Sequence, residues 1–147
     1  MTHRAEQIMA TVTTTLTGLT TTGTNVVRGR ASDDEFSANV ENALSIYQGS
    51  DEPDPDSWPI MNSALTVYVD LHVKKITSAI DTQLNLIREE VTKALQSVEK
   101  LGLAFVIDVE EGTAGEPEIT GAGEKPAASM RTAWVIKYSR NYNDPGN

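Results

Sequence analysis

The chain has 147 residues and a formal net charge of -9, from 12 Lys+Arg against 21 Asp+Glu, with no cysteine. That length suits one domain over residues 1–147, able to bury roughly 70% of its unfolded surface without a metal or disulfide to hold it. The missing cysteines exclude a disulfide scaffold, a thiol nucleophile, an iron–sulfur centre and a Cys-ligated zinc site. The acidic balance argues against a protein that grips nucleic acid by sheathing its phosphates, which needs a net-positive face.

Ile8, Val12, Leu16 and Leu19 fall on one face of a helix over residues 4–19. Its threonines lose side-chain freedom in a helix, so packing rather than propensity must hold it. Residues 24–30, TNVVRGR, read as a short strand, and residues 31–42 as an acidic loop containing Asp33, Asp34 and Glu35. Residues 43–47, ALSIY, read as a second short strand. Residues 50–62 read as an extended loop, because the prolines of SDEPDPDSWP remove ladder donors.

Residues 64–74, ALTVYVDLHVK, alternate strictly. Leu65, Val67, Val69, Leu71 and Val73 point to one face, and Thr66, Tyr68, Asp70, His72 and Lys74 to the other. The first face meets a core; the second is expected to meet water or a partner. Residues 78–100 carry a helical stripe, with Ser78 and Asp81 as a capping box and Lys100–Gly102 as the stop. Residues 103–110 and 130–140 read as strands. Between them, Glu110–Ala127 is expected to form a long glycine-rich hairpin arm, and 141–147 a loose tail.

The order indicates an α+β fold: a mainly antiparallel four- to five-stranded sheet with two amphipathic helices packed on one face. No apolar run exceeds Leu103–Ile107, whereas a membrane span needs about 20 residues. A soluble, cytoplasmically assembled protein without membrane contact is expected.

No constellation specifies an active site. His3 and His72 are the only histidines, and His72 with Asp70 reads as a surface or interface pair. The acids Asp51, Glu52, Asp54 and Asp56 lack the turn glycine and distal glutamate of a calcium loop. Phosphate-loop patterns are missing as well. No enzyme activity, metal or cofactor is expected. Trp58 and Tyr142 stand out as exposed aromatics of the type that anchors protein contacts.

The ordered segments GLTTTGTNVVRGR, NALSIYQGSDEPD, ALTVYVDLHVK, IDTQLNLIREEVTKAL, LAFVIDVEEG and AWVIKYSRNYNDP together resemble the tail-terminator family of long-tailed bacteriophages (minor tail protein U-like, tail-completion proteins). The resemblance spans essentially the whole chain. It implies a virion protein at the head-proximal end of the tail, assembling as a homo-oligomer, a hexameric ring. Such a ring caps the tail tube, stops its polymerisation and offers a surface to the head-completion (connector) protein. It implies a tube-contact arm with Glu110, Glu111, Gly112, Glu116, Glu118, Gly121, Gly123 and Lys125. It implies a subunit interface with Tyr68, Asp70, His72, Lys74 and Trp58. If DNA crosses the ring without specific binding, Asp33, Asp34, Glu35, Asp51 and Glu52 are candidates to line the lumen and repel phosphates. A head–tail connector, and a non-viral module binding a small molecule beneath helix 78–100, are the alternatives.

Overall fold

The alternation of residues 64–74 marks the centre of the molecule. In the computed structural model, strand β3 (Ile60–Val73) pairs on both sides, with β2 (Asn42–Asp54) and with β6 (Ala127–Asn141). The structure describes residues 2–29, 41–76, 78–120 and 127–147. The remaining elements are α1 (Arg4–Leu16), β1 (Val26–Arg28), α2 (Ile80–Ser97), β4 (Val106–Ala114) and β5 (Glu118–Thr120). The sheet runs β1-β2-β3-β6-β4, with β5 also on β6. All pairings are antiparallel except β1 with β2. This is the expected α+β sheet, brought to six strands by the short β5.

Register decides which side chains share a face. Leu65, Val67, Val69, Leu71 and Val73 stand opposite Ile136, Trp134, Thr132, Met130 and Ala128 of β6. Leu44 and Ile46 of β2 stand beside Leu71 and Val69. These residues form one core cluster with Ile8, Met9, Val12 and Leu16 of α1 and Leu84, Ile87, Val91 and Leu95 of α2. The helical stripes are thus buried at Ile8, Val12 and Leu16 and at Leu84, Ile87, Val91 and Leu95, whereas Leu19 and Ile80 at their ends are half-buried and Val98 is exposed.

Three local readings change. Residues 50–62 are mostly strand, not loop: β2 continues to Asp54 and Pro53 sits in the ladder opposite Ser63. Among the described residues β1 covers only Leu44–Ile46, so β2 is flanked on one side alone at Pro53, the kind of edge position where proline is tolerated. Helix α2 begins at Ile80 behind Ala79, which makes no side-chain cap. Asp81 is then one position too early for a capping box, and its carboxylate accepts from the Thr82 N–H instead. The helix also stops at Ser97 rather than at Gly102. Lys100 and Leu101 follow at φ 54° and 56°, a left-handed pair that returns Leu101 to the core at 7% exposure.

Both termini are tied down. The His3 ring accepts from Ala5 N–H at 3.0 Å and caps α1, and Pro145 C=O accepts from Arg4 N–H at 2.8 Å. Asp144 accepts from Gly146 N–H and from the Asn147 amide, which hold its carboxyl below the usual range. Pro145 of the tail thus lies against the first turn of α1, forming a clasp over it.

Candidate functional site

The sheet face opposite the core cluster carries Ser45 and Tyr47 of β2, Thr66, Tyr68, Asp70 and His72 of β3, and Arg131, Ala133, Val135 and Lys137 of β6. Register places Ser45 beside Asp70, Tyr47 beside Tyr68, and Asp70 beside Arg131. The four residues Tyr47, Tyr68, Asp70 and Arg131 form a connected group. Tyr47 and Tyr68 rings lie 5.3 Å apart at 34°. Asp70 Oδ2 accepts from Tyr47 OH and Oδ1 from Arg131 Nε, each at 3.1 Å. The Arg131 guanidinium lies 5.6 Å from the Tyr47 centroid and 5.5 Å from that of Tyr68.

This arrangement follows from cross-strand neighbours meeting at about 5 Å. The Asp70 hydrogen bond raises the Arg131 pKa, against the opposing effect of burial. The Arg131 side chain remains 44% exposed while that of Asp70 is 11% exposed. A buried carboxylate thus fixes a cation that still faces outward, with two half-buried rings beneath it. Two glycines let neighbouring groups approach closely. A Cβ on Gly49 would sit 2.6 Å from the Tyr68 ring, and one on Gly112 would sit 2.9 Å from Ala133 O.

The structure brings Tyr68, Asp70 and His72 together, but not as a solvated row. Asp70 and His72 are 8% and 4% exposed. On a central strand both faces have lateral neighbours, and here they are polar partners: His72 Nε2 lies 2.9 Å from Ser45 Oγ. Ser45 and His72 make a hydroxyl–imidazole pair, yet Ser45 is fully buried and no substrate can reach it. Asp70 is committed to Tyr47 and Arg131. Lys74 lies just beyond β3, where its N–H donates to Glu41 C=O at 2.7 Å. Trp58 stands apart at the β2–β3 turn, 67% exposed, before Ile60, which itself lies about 26 Å along β3 from Tyr68 at ~3.3 Å per residue. Tyr47 and Arg131 complete the group but were not singled out in the sequence. Each lay in a predicted strand, and only the register, which no local pattern reveals, places them around Asp70.

The arm is mostly sheet. Glu110, Glu111 and Gly112 lie in β4, Glu116 in the link and Glu118 in β5. β4 and β5 run in the same direction along β6, so residues 106–120 and 127–141 form one long hairpin. Glu110 pairs with Lys137 at 3.0 Å and Glu111 with Arg88 at 3.1 Å. Glu116 and Glu118 are exposed. Gly121, Gly123 and Lys125 lie outside the described residues, as do Asp33, Asp34 and Glu35. Asp51 is half-buried and accepts from Tyr138 OH at 2.6 Å, while Glu52 is exposed. The phenol of Tyr138 is pushed well above its ordinary value by burial and by the Asp51 carboxylate.

Among the described residues no group of three or more His, Cys, Asp or Glu could hold a metal ion. A groove of about 370 Å³ lies where Leu95–Lys100, at the end of α2, face Ile107–Val109 of β4. No helix is long and apolar enough to cross a membrane. Comparison with protein-family models and with curated proteins returns no match.

Proposed function

We propose that the chain is a structural assembly protein of a phage tail: a tail terminator whose copies form a ring that caps the tail tube and presents a surface for head joining. The resemblance of its ordered segments to that family supports this reading. The observation that carries it is the Tyr47–Tyr68–Asp70–Arg131 group. Tyrosine and arginine, held rigid at a half-exposed face, are the residue types that dominate protein contacts. A fixed guanidinium also loses less side-chain freedom on docking than a free one.

In this reading the open face packs against a different surface of the next copy. Such heterologous contacts close into rings when the rotation permits. The end of the hairpin where Thr120 pairs with Ala127 faces the tube, and exposed acids such as Glu52 keep passing DNA from sticking.

The test is light scattering with negative-stain microscopy, on the chain alone and with purified tail tubes. A discrete ring is expected, free or on tube ends, and Arg131→Gln is expected to weaken it while circular dichroism stays unchanged. A monodisperse monomer that neither forms rings nor binds tubes overturns the reading. If the chain copurifies with the head connector and never with tubes, it is a head-completion protein.

A further inference from the structure

The exposed aromatics of the sequence, Trp58 and Tyr142, flank the same end of the sheet. Ile60, the first residue of β3, pairs with Asn141, the last of β6. Trp58 stands two residues before the one, and Tyr142 directly after the other. Trp58, Ile60 and Tyr142 are 67%, 53% and 58% exposed. Large apolar side chains gathered on an open surface mark contact sites.

The surface is built rather than frayed. Asp54 Oδ1 accepts from Asp56 N–H at 3.0 Å, Ser57 Oγ donates to Asp54 C=O at 2.6 Å, and Ser57 Oγ accepts from Asn62 N–H at 2.9 Å. These bonds lock the turn that carries Trp58. Arg140 Nη1 reaches the carbonyls of Asn141 and Tyr142 at 3.4 and 3.3 Å. The rim is acidic, since Glu52, Asp54 and Asp56 are all exposed.

We infer that this end is a docking surface for the head-side partner, a protein offering an apolar socket rimmed by Lys and Arg. This rests on the ring reading above. Two observations select that occupant. The acidic rim asks for a basic one, whereas the α2–β4 groove of a second copy carries Glu99 and Asp108 against Lys100 and would repel it. The hairpin assigned to the tube pairs Thr120 with Ala127 at the other end of β6. The paired length of β3 and β6 puts the two ends about 43 Å apart at ~3.3 Å per residue, so one ring can meet both neighbours at once. Trp58 is thereby reassigned from the subunit interface to the partner-facing end.

The test uses the full chain and two double variants, Trp58→Ser/Tyr142→Ser and Asp54→Asn/Asp56→Asn. Binding is measured to the purified head-completion protein and, separately, to purified tail tubes, with rings scored by microscopy. The aromatic variant should bind the head-completion protein about thirtyfold more weakly or worse, with rings and tube binding unchanged. The acid variant should lose affinity at low salt and show a flatter salt dependence. Undiminished binding by the aromatic variant overturns the inference. So does loss of rings, which would make the patch a subunit interface, or loss of tube binding alone, which would reverse the two ends. A wild-type chain that forms rings on tubes but ignores the head-completion protein sinks this inference and leaves the ring reading standing. One that does none of these things sinks both.

Discussion

Removing the Asp70 carboxylate should loosen the open face at its centre. Asp70→Ala deletes two hydrogen bonds to an ionised acceptor, from Tyr47 OH and Arg131 Nε, both at 3.1 Å. A bond to a charged group contributes about 1.5–3 kcal/mol net. The Arg131 side chain is 44% exposed, so its share falls toward the ~0–1 kcal/mol of a solvated pair. The expected loss is about 2 kcal/mol, or near 1 M in urea midpoint for a slope of ~2 kcal/mol/M. Arg131→Ala leaves the Asp70 carboxylate, 11% exposed, without its cation. The double variant should therefore cost less than the sum of the singles by about 1 kcal/mol. Trp134 is 2% exposed and reports unfolding, and Trp58→Phe in the background removes the second, exposed indole. Asp70→Ala within about 0.5 kcal/mol of wild type, or singles that add within that margin, would refute the coupled group.

Tyr138→Phe strips the donor from Asp51, whose Oδ1 already lacks a partner, and should cost about 1–3 kcal/mol by urea unfolding. Because the folded Tyr138 pKa lies above its unfolded value, this contribution is complete below about pH 10 and is lost as pH rises further. Absorbance at 295 nm should show Tyr138 ionising only with unfolding. Gly112→Ala drives a methyl toward Ala133 C=O, a backbone atom that cannot yield, and should destabilise by about 1–3 kcal/mol. Gly49→Ala meets the edge of the Tyr68 ring and should cost less, as paired melts would show. Asp144 has a depressed pKa, so the tail clasp is intact above the ordinary Asp range and opens as pH falls through the lowered value. The Arg4 amide, whose N–H the Pro145 carbonyl accepts, should lose protection, measured as exchange relative to its intrinsic rate at each pH, in acid and already at neutral pH in Asp144→Ala.

Elements with a strong period were legible before any coordinates. The five aliphatics from Leu65 to Val73 are all buried, as are Ile87, Val91 and Leu95 of α2. Boundaries failed where tertiary context overrides local chemistry. Pro53 reads as a strand breaker until β2 is seen to be flanked there by β3 alone among the described residues. Ser78 and Asp81 read as a capping box until the helix starts one residue late. The candidate site was legible only by halves. Alternation put Tyr68, Asp70 and His72 on one face, but it could not show that Tyr47 and Arg131 would arrive from β2 and β6. His72 looked like a surface residue because its buried partner, Ser45, lies 27 residues away.

The sheet edges bear on what kind of assembly the chain can form. Edge strands invite open-ended pairing, which yields fibres instead of closed rings. Here the outer strand β4 is interrupted by two register shifts, at Val106/Asp108 and Glu111/Ala114. Its Val109 N–H donates to the Asp108 side chain at 2.9 Å, and its Val109 C=O accepts from Gln96 of α2 at 3.2 Å. The opposite edge strand, β1, is only three residues long. Among the described residues, strand addition is thus obstructed along β4, short along β1 and met by Pro53 in β2, so in the proposed ring self-association falls to the open face. A face contact has a fixed angle, and a fixed angle is what lets a ring close. The -9 charge, spread over exposed acids such as Glu52, Glu116 and Glu118, acts in the same direction by holding copies apart until a specific contact overcomes their repulsion.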